Sequence, residues 1–406
     1  MTLNKKKISV GDFPIGEEER EVINEVLDKG HISEYFKVRE FEKLWSKYIQ
    51  TKYCVAVSSG TAALLTGWHA LSFLNNYKSK KKVVTTPITY IATSSALILS
   101  GLEPVYVDID PQRFIITPKN IEEHIKNVPD VENYLAINPV HLMGYVADME
   151  KINKIAKKYN LIVVEDASQA HGSIYNKKRA GSFSLFSTFS FYIAHNIQVG
   201  EMGALNTNNE DIYRIVKRLK ANGRLCSCSV CRRSERKCPY ELFNHEDLDP
   251  RFTHDLIGYN FKTMEFQAAL AVLQIKKIDS IIKKRQHNVR YLNDGLKNFS
   301  EILQLPLVDD NVSYLAYPIV IKNPSFISRK TLRKELEKYG IETRPLFGCI
   351  PTQQPAFDYL KPKYIDRLPI AEYIGKNAFY IGCHQYLTKD DLDYVIHIFG
   401  KIFNSL

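Results

Sequence analysis

The chain has 406 residues, ordinary apolar and charged fractions, and a net charge of +10. That length supports two domains with a sizeable core. Its lysines are scattered, as at Lys80–Lys82 and Lys283–Lys284, so they read as solvated faces with some affinity for anions, not as a nucleic-acid stripe.

No apolar run is long enough to span a bilayer, and the opening M-T-L-N-K-K-K lacks a secretory apolar segment. A cytoplasmic protein without membrane contact is therefore expected. Seven cysteines are unevenly placed. Cys54, Cys349 and Cys383 stand alone, whereas Cys226, Cys228, Cys231 and Cys238 crowd into thirteen positions. An odd total and one tight cluster point to a reducing compartment and a metal or redox site, not a disulfide scaffold.

In chain order, helices are predicted over Glu17–Leu27 and around Val38–Tyr48. The run Y-C-V-A-V-S (53–58) predicts a strand, then Ser58-Ser59-Gly60-Thr61 leads into a helix. Strand, Ser-Gly-Thr and helix together present free backbone N–H groups and a positive dipole end to a phosphate, although an ordinary turn with a serine cap reads equally well. Strands at 83–85, 104–108, 135–140 and 161–166 then alternate with helices at 92–99, 120–126 and 149–159. This succession predicts a mainly parallel sheet with helices on both faces and functional groups at the strands' carboxyl ends. Thr85–Tyr90, Asp166–His171 and His195 all fall at such ends. His195 follows the aromatic run Phe189, Phe191, Tyr192 and precedes a turn containing Gly200 and Gly203. Alone it reads equally well as a loop histidine in a hairpin.

After residue 205 the pattern changes. A helix (210–221) enters the cysteine segment. A long helix follows over Glu265–Ile278 and continues to about Leu296. A strand is predicted at 313–321, a helix at 328–339, a strand start at 340–344 and a terminal helix at 392–403. The expected organisation is a large α/β domain over 30–275 with a Cys-rich insert at about 223–240. A small α+β domain over 276–406 would be joined by the N-terminal segment 1–29.

Six stretches carry a resemblance: S-S-G-T-A-A-L, T-P-I-T-Y-I-A-T, V-H-L-M-G-Y-V-A-D-M, V-V-E-D-A-S-Q-A-H-G-S, F-S-F-Y-I-A-H and G-Y-N-F-K-T-M-E-F-Q-A-A-L. In this order they resemble the DegT/DnrJ/EryC1/StrS family of sugar aminotransferases and relatives, from about residue 10 onward. The resemblance implies the aspartate-aminotransferase-like fold type I and a pyridoxal 5'-phosphate or pyridoxamine 5'-phosphate cofactor. It implies that Asp166 pairs with the pyridine nitrogen, Gln169 with the ring hydroxyl, and Tyr90 with the ring face. Gly60, Thr61 and Ser190 would hold the phosphate. Asn260 would reach it from a second subunit, implying a homodimer.

One departure is decisive for the expected chemistry. The family's cofactor-bonding lysine stands five residues after the serine equivalent to Ser190. Here that position is His195, and residues 182–209 contain no lysine. A non-covalently held cofactor with His195 as general base is implied. The same substitution marks the 3-dehydratases of nucleotide-linked 4-keto-6-deoxyhexoses, which S-F-Y-I-A-H-N-I-Q-V-G-E-M-G-A, T-R-P-L-F-G-C-I-P-T-Q-Q-P-A-F and N-A-F-Y-I-G-C-H-Q-Y-L-T also resemble. Met202 and Cys349-Ile350 depart from that branch.

G-R-L-C-S-C (223–228) resembles the iron–sulfur segment of the CDP-4-keto-6-deoxyglucose 3-dehydrase, whose further ligand would fall at Ser168. Serine is a departure, and Cys231 would supply the fourth thiolate with Cys226, Cys228 and Cys238. Four thiolates suit an iron–sulfur cluster or a structural zinc, and spacing does not separate them. Arg224, Arg232, Arg233, Arg236 and Lys237 would attract an acidic electron donor, such as a ferredoxin or a flavin/iron–sulfur reductase, or simply face solvent. Three readings stand: a redox 3-dehydratase, a glutamate-coupled 3-dehydratase with a zinc-stapled loop, and a catalytically silent regulatory paralogue.

Overall fold

The computed structural model describes residues 6–77, 79–226, 228, 235, 238 and 249–405. Strands β1 (Tyr53–Val57), β2 (Lys82–Thr85), β3 (Glu103–Tyr106), β4 (Tyr134–Asn138) and β5 (Ile162–Asp166) come first. A small hairpin follows, β6 (Ile174–Tyr175) and β7 (Lys178–Arg179), then β8 (Phe186–Ser190) and β9 (Gly203–Thr207). Seven of these form one sheet in the order β1-β9-β8-β5-β4-β2-β3. The pairs among β3, β2, β4, β5 and β8 are parallel, while β9 is antiparallel to both β8 and β1. Only β9 runs against the others, so the carboxyl ends of β1, β2, β4, β5 and β8 share one edge. Both faces are covered, which is why β4 (Y-L-A-I-N) is buried throughout and reads as a continuous run.

The helices around this sheet are α1 (Glu17–Asp28), α2 (Phe36–Ile49), α3 (Gly60–Leu71), α4 (Ala92–Leu99), α5 (Pro118–Lys126), α6 (Met149–Lys158), α7 (Glu210–Leu219), α8 (Glu265–Ile275) and α9 (Ile278–Leu296). Sequence-encoded caps start several of them. Asp148 accepts from the Lys151 N–H at α6, and Asn209 from the Ile212 N–H at α7. α3 and α4 are apolar and largely buried because both sit in the interior layer.

A second sheet follows: β10 (Leu303–Gln304), β11 (Tyr317–Ile321), β12 (Arg344–Pro345) and β13 (Ala378–Ile381), all antiparallel, in the order β10-β11-β13-β12. The N-terminal segment joins it. Ile8 donates to the Gly340 carbonyl at 2.9 Å and accepts from the Glu342 N–H at 2.8 Å. One continuous apolar core runs from Ile137 and Val163 of the large sheet to Tyr317 and Ile381 of the small one.

Two strand boundaries differ from the sequence reading, and one strand lies outside it. The strand expected from 313 begins only at Tyr317, because residues 312–315 thread beneath the loop after β4. There Leu315 donates to the Met143 carbonyl at 3.3 Å, and Tyr314 takes a left-handed φ of 41°. The strand start expected at 340–344 narrows to Arg344–Pro345, since Ile341 pairs with Ile8 instead. β13 was not expected at all. Among the described residues, no helix is long and apolar enough to cross a membrane.

Candidate active site

The shared edge gathers the site. β1 ends at Val57 and α3 begins at Gly60, with Ser59 as cap; its Oγ accepts from the Ala62 N–H at 3.1 Å. The rest of the first turn's N–H groups are left facing this edge. β8 and β9 close against it. A Cβ on Gly60 would lie 2.6 Å from the Ser190 Cβ, and one on Gly203 would lie 2.1 Å from the Ser59 carbonyl oxygen. Only glycine permits these approaches, so a small cup forms from Ser59, Gly60, Ser190 and Gly203. Thr61 lies exposed in the first turn of α3.

β5 ends in two acids with opposite roles, because side chains alternate across a strand. Glu165 is fully buried and satisfied. It accepts from His141 Nε2, the Gly181 and Phe183 N–H groups and Ser184 Oγ, at 2.7–3.0 Å. Asp166 faces the site, also buried. Its Oδ2 accepts from Thr93 Oγ1 at 2.8 Å and its Oδ1 from the Ser168 N–H at 3.2 Å. No cation pairs with it among the described residues. A buried carboxylate without a cation lacks the partner that burial demands. A pyridinium N–H is such a partner, and the cup beside it suits the phosphate of the same molecule. The residues therefore fit a pyridoxal-type cofactor.

Other groups surround this position. Gln169 Oε1 accepts from the Met143 N–H at 3.0 Å, which leaves its NH₂ as the free donor. Tyr90 is 60% exposed, available for stacking, with its ring 6.0 Å from that of Phe347. Ile350 donates to the Pro87 carbonyl at 2.8 Å, so the 343–350 segment is pinned against the loop bearing Tyr90. Asn260 lies exposed on a strap that bridges Ala221, and the adjacent Phe261 carbonyl accepts from the Ser58 N–H. Cys349 and Met202 are both fully buried in apolar cores. Sequence reasoning gave no role to Thr93, which bonds Asp166 and lies 3.0 Å from Thr89 Oγ1, nor to the close approach of Gly203 to Ser59. Only a close approach in space marks them.

His195 sits on the connection between the antiparallel strands β8 and β9, as the hairpin reading expected. It is half-buried, and its Nδ1 lies 3.3 Å from the Tyr192 carbonyl. The connection is held from several sides. Ile197 donates to His171 Nδ1 at 3.3 Å, Asn196 Nδ2 to the Ser313 carbonyl at 2.8 Å, and the Gln198 N–H to Gln274 Oε1 at 3.1 Å. The His171 ring stacks on that of His195 at 5.9 Å within an aromatic box of Trp45, Phe189 and Phe191. Burial, assisted by the Arg285 cation, pushes the His195 pKa down to about 4 against the opposing pull of the Tyr192 carbonyl.

The cysteine segment leaves α7 at a paired root. Leu225 donates to the Thr253 carbonyl at 2.8 Å and Cys226 to the Pro250 carbonyl at 3.2 Å. Cys226 is buried, Cys228 and Cys238 half-buried. Burial, then the neighbouring Cys226, pushes the Cys228 thiol upward. Cys231, Arg232, Arg233, Arg236 and Lys237 lie outside the described residues. Among the described residues, no three His, Cys, Asp or Glu side chains form a group that could hold a metal ion. Ser168 uses its N–H on Asp166. The described thiols therefore do not by themselves fit an iron–sulfur cluster or zinc.

The DegT/DnrJ/EryC1/StrS aminotransferase family profile matches residues 14–400. The chain belongs to this family. GDP-4-keto-6-deoxy-D-mannose 3-dehydratase of Escherichia coli O55:H7 is 30% identical over 384 residues, covering 93% of this chain and 95% of that one. Among solved structures, the Helicobacter pylori aminotransferase PseC, of pseudaminic acid biosynthesis, superposes with a TM-score of 0.86 at 26% identity, covering 99% and 100% of the two chains. The E. coli 3-dehydratase with bound hydrated PLP superposes at 0.83 and 27%, covering 97% and 99%. Both a dehydratase and an aminotransferase thus share this fold along nearly its whole length, the α/β architecture expected from the sequence.

Proposed function

We propose that the chain is a pyridoxamine 5'-phosphate-dependent 3-dehydratase of a nucleotide-linked 4-keto-6-deoxyhexose. Family and relatives support a pyridoxal-type, sugar-modifying enzyme, a dehydratase or an aminotransferase. The observation that favours dehydration is His195, at the site edge where the family's lysine stands. When bound, the cofactor supplies an amine for the sugar's C4 ketone and a ring that accepts electrons.

The chain's own residues then have definite tasks. Asp166 holds the ring nitrogen protonated, and Thr93 keeps that carboxylate aimed. Gln169 donates to the ring hydroxyl, Tyr90 covers the ring face, and Gly60, Thr61 and Ser190 hold the phosphate. Asn260 reaches that phosphate from the second subunit of a homodimer. His195 Nε2, the free ring nitrogen, takes a proton and returns it to the departing C3 oxygen. The Phe347 segment closes the sugar side.

The end of the cycle has two readings. The resemblance of residues 223–228 to an iron–sulfur segment supports a cluster fed by an acidic ferredoxin or flavin/iron–sulfur reductase in the cytoplasm. In the second reading the amine is regenerated from glutamate without redox chemistry, and the cysteine segment is stapled by zinc. Anaerobic iron and sulfide analysis separates them, since a colourless, active, metal-free protein refutes the first.

The test of function is incubation with cofactor, glutamate and GDP-4-keto-6-deoxymannose, with the sugar analysed by mass spectrometry. Loss of the C3 hydroxyl is expected. A 4-amino sugar as sole product refutes the reading.

A further inference from the structure

Arg285, on α9, is 1% exposed. Its Nε donates to Gln385 Oε1 at 3.0 Å, and its Nη1 donates to the carbonyls of Tyr314 and Leu315 at 3.3 and 2.7 Å. All three acceptors are neutral. No carboxylate stands within ion-pair reach of the guanidinium among the described residues. A fully buried cation without a counter-charge is costly to the fold, so its presence calls for a reason.

Its placement suggests one. Arg285 sits on Tyr314 and Leu315, while Asn196, the residue after His195, binds the adjacent Ser313 carbonyl. One three-residue run thus carries both the cation and the catalytic loop. The ionisable groups facing this region come from five elements, one of them the N-terminal segment with Asp12, whose backbone carbonyl accepts from Gln198 Nε2 of the β8–β9 connection. Tyr192 and His195 lie on the β8–β9 connection, and His171 on the loop after β5. Arg285 comes from α9, and Cys383, His384 and Tyr386 from the loop after β13. Asp12 is the one carboxylate among those named, it forms no ion pair with Arg285, and Cys383 shares the Tyr314 carbonyl with Arg285. Burial disfavours protonation of His171, His195 and His384, and the Arg285 charge adds to it at each, with Asp12 and Asp391 opposing it at His384.

We propose that Arg285 is a positioning residue: tied to the His195 loop through the 313–315 run, its buried charge adds to burial in holding His195 neutral and in driving an accepted proton off again onto the departing oxygen. This rests on the reading of His195 as general base. An imidazole that takes a proton beside a fixed cation becomes a stronger acid than one that does not. The proton gained at Nε2 is the proton lost with water, so one residue serves both half-steps without an outside donor.

The test uses the whole cofactor-free chain labelled with 13Cε1-histidine, the His195 resonance being assigned by its loss in His195→Asn. Titration is followed in the wild type, Arg285→Gln and Arg285→Lys. Glutamine can still donate to the two carbonyls, and lysine keeps the charge. The His195 midpoint should rise by about one pH unit in Arg285→Gln and stay near the wild-type value in Arg285→Lys. In the dehydration assay the acid limb of kcat/KM should move by the same amount, whereas a merely structural role would lower kcat/KM without moving it. Equal midpoints in wild type and Arg285→Gln overturn the proposal. If Arg285→Gln does not fold, Cys383→Asp supplies the missing counter-charge beside the guanidinium, and an unmoved midpoint there overturns it equally. An amino-sugar product from the wild type would refute the function and leave these midpoints where they are.

Discussion

The Tyr192 carbonyl oxygen lies 3.3 Å from Nδ1 of His195. That carbonyl also accepts from the His195 backbone N–H at 2.9 Å. With its ring hydrogen on Nδ1, His195 donates there and keeps the Nε2 lone pair that a general base would need.

This arrangement predicts a pH dependence. His195 and His384 are both pushed down to about 4, chiefly by burial, from an ordinary value near 6.5. A group whose folded pKa is depressed contributes stability above its unfolded pKa and loses it as pH falls through the folded value. Thermal stability should thus be flat above about pH 6.5 and fall progressively toward about pH 4. For the nearly inaccessible His384 the loss is at most about 3 kcal/mol. Calorimetry across this window checks it, and His384→Gln should flatten the slope.

His195→Lys should return the family's covalent chemistry. The variant is expected to retain the cofactor through denaturation after borohydride treatment, seen as a mass increase at residue 195. Dehydration should fall on the order of a hundredfold or more, the scale on which a lost general base is felt. Unchanged dehydration would show that His195 is not the base.

Two glycines of the same loop should fail differently. Gly203→Ala drives a Cβ into the Ser59 backbone, so the cup itself must open. A loss of about 1–3 kcal/mol, with weaker binding of pyridoxal phosphate, is expected. Gly200 has a left-handed φ of 88° and open space around it, so Gly200→Ala should cost only about 1 kcal/mol and leave cofactor binding intact. Denaturant titration and cofactor titration together separate the two.

Glu265 is fully buried at the start of α8 and accepts from the Tyr35, Lys37 and Val38 N–H groups at 2.7, 2.7 and 3.0 Å. It caps α2 from outside that helix. Glu265→Gln keeps the shape but loses the charge and turns one oxygen into a donor facing N–H groups. A loss of about 2 kcal/mol in urea unfolding is expected, whereas Glu→Gln at exposed Glu18 should change little.

Much of the architecture was legible because its causes are local. Alternating strand and helix patterns, the Ser59 cap and the buried run ending at Asp166 all follow from neighbours a few residues apart. Where an element's neighbours are distant, the reading failed. Residues 313–316 look like strand, yet they bond to Met143 and Ser173, which no local pattern reveals. The β13 strand exists because β11 and β12 flank it.

The sequence by itself determined the family, a mainly parallel sheet and the substitution of histidine for lysine, since motifs and periodicities survive as local signals. Tertiary structure alone decided that Thr93 bonds Asp166 while Glu165 is satisfied on the other face, that the Tyr192 carbonyl lies against His195 Nδ1, and that a buried arginine without a carboxylate partner sits on the 314–315 carbonyls. Those outcomes depend on crossovers that bring β5, β8, α9 and residues 313–315 together. The energy of a buried charge or a free lone pair is set by what surrounds it in space, not by what precedes it in the chain.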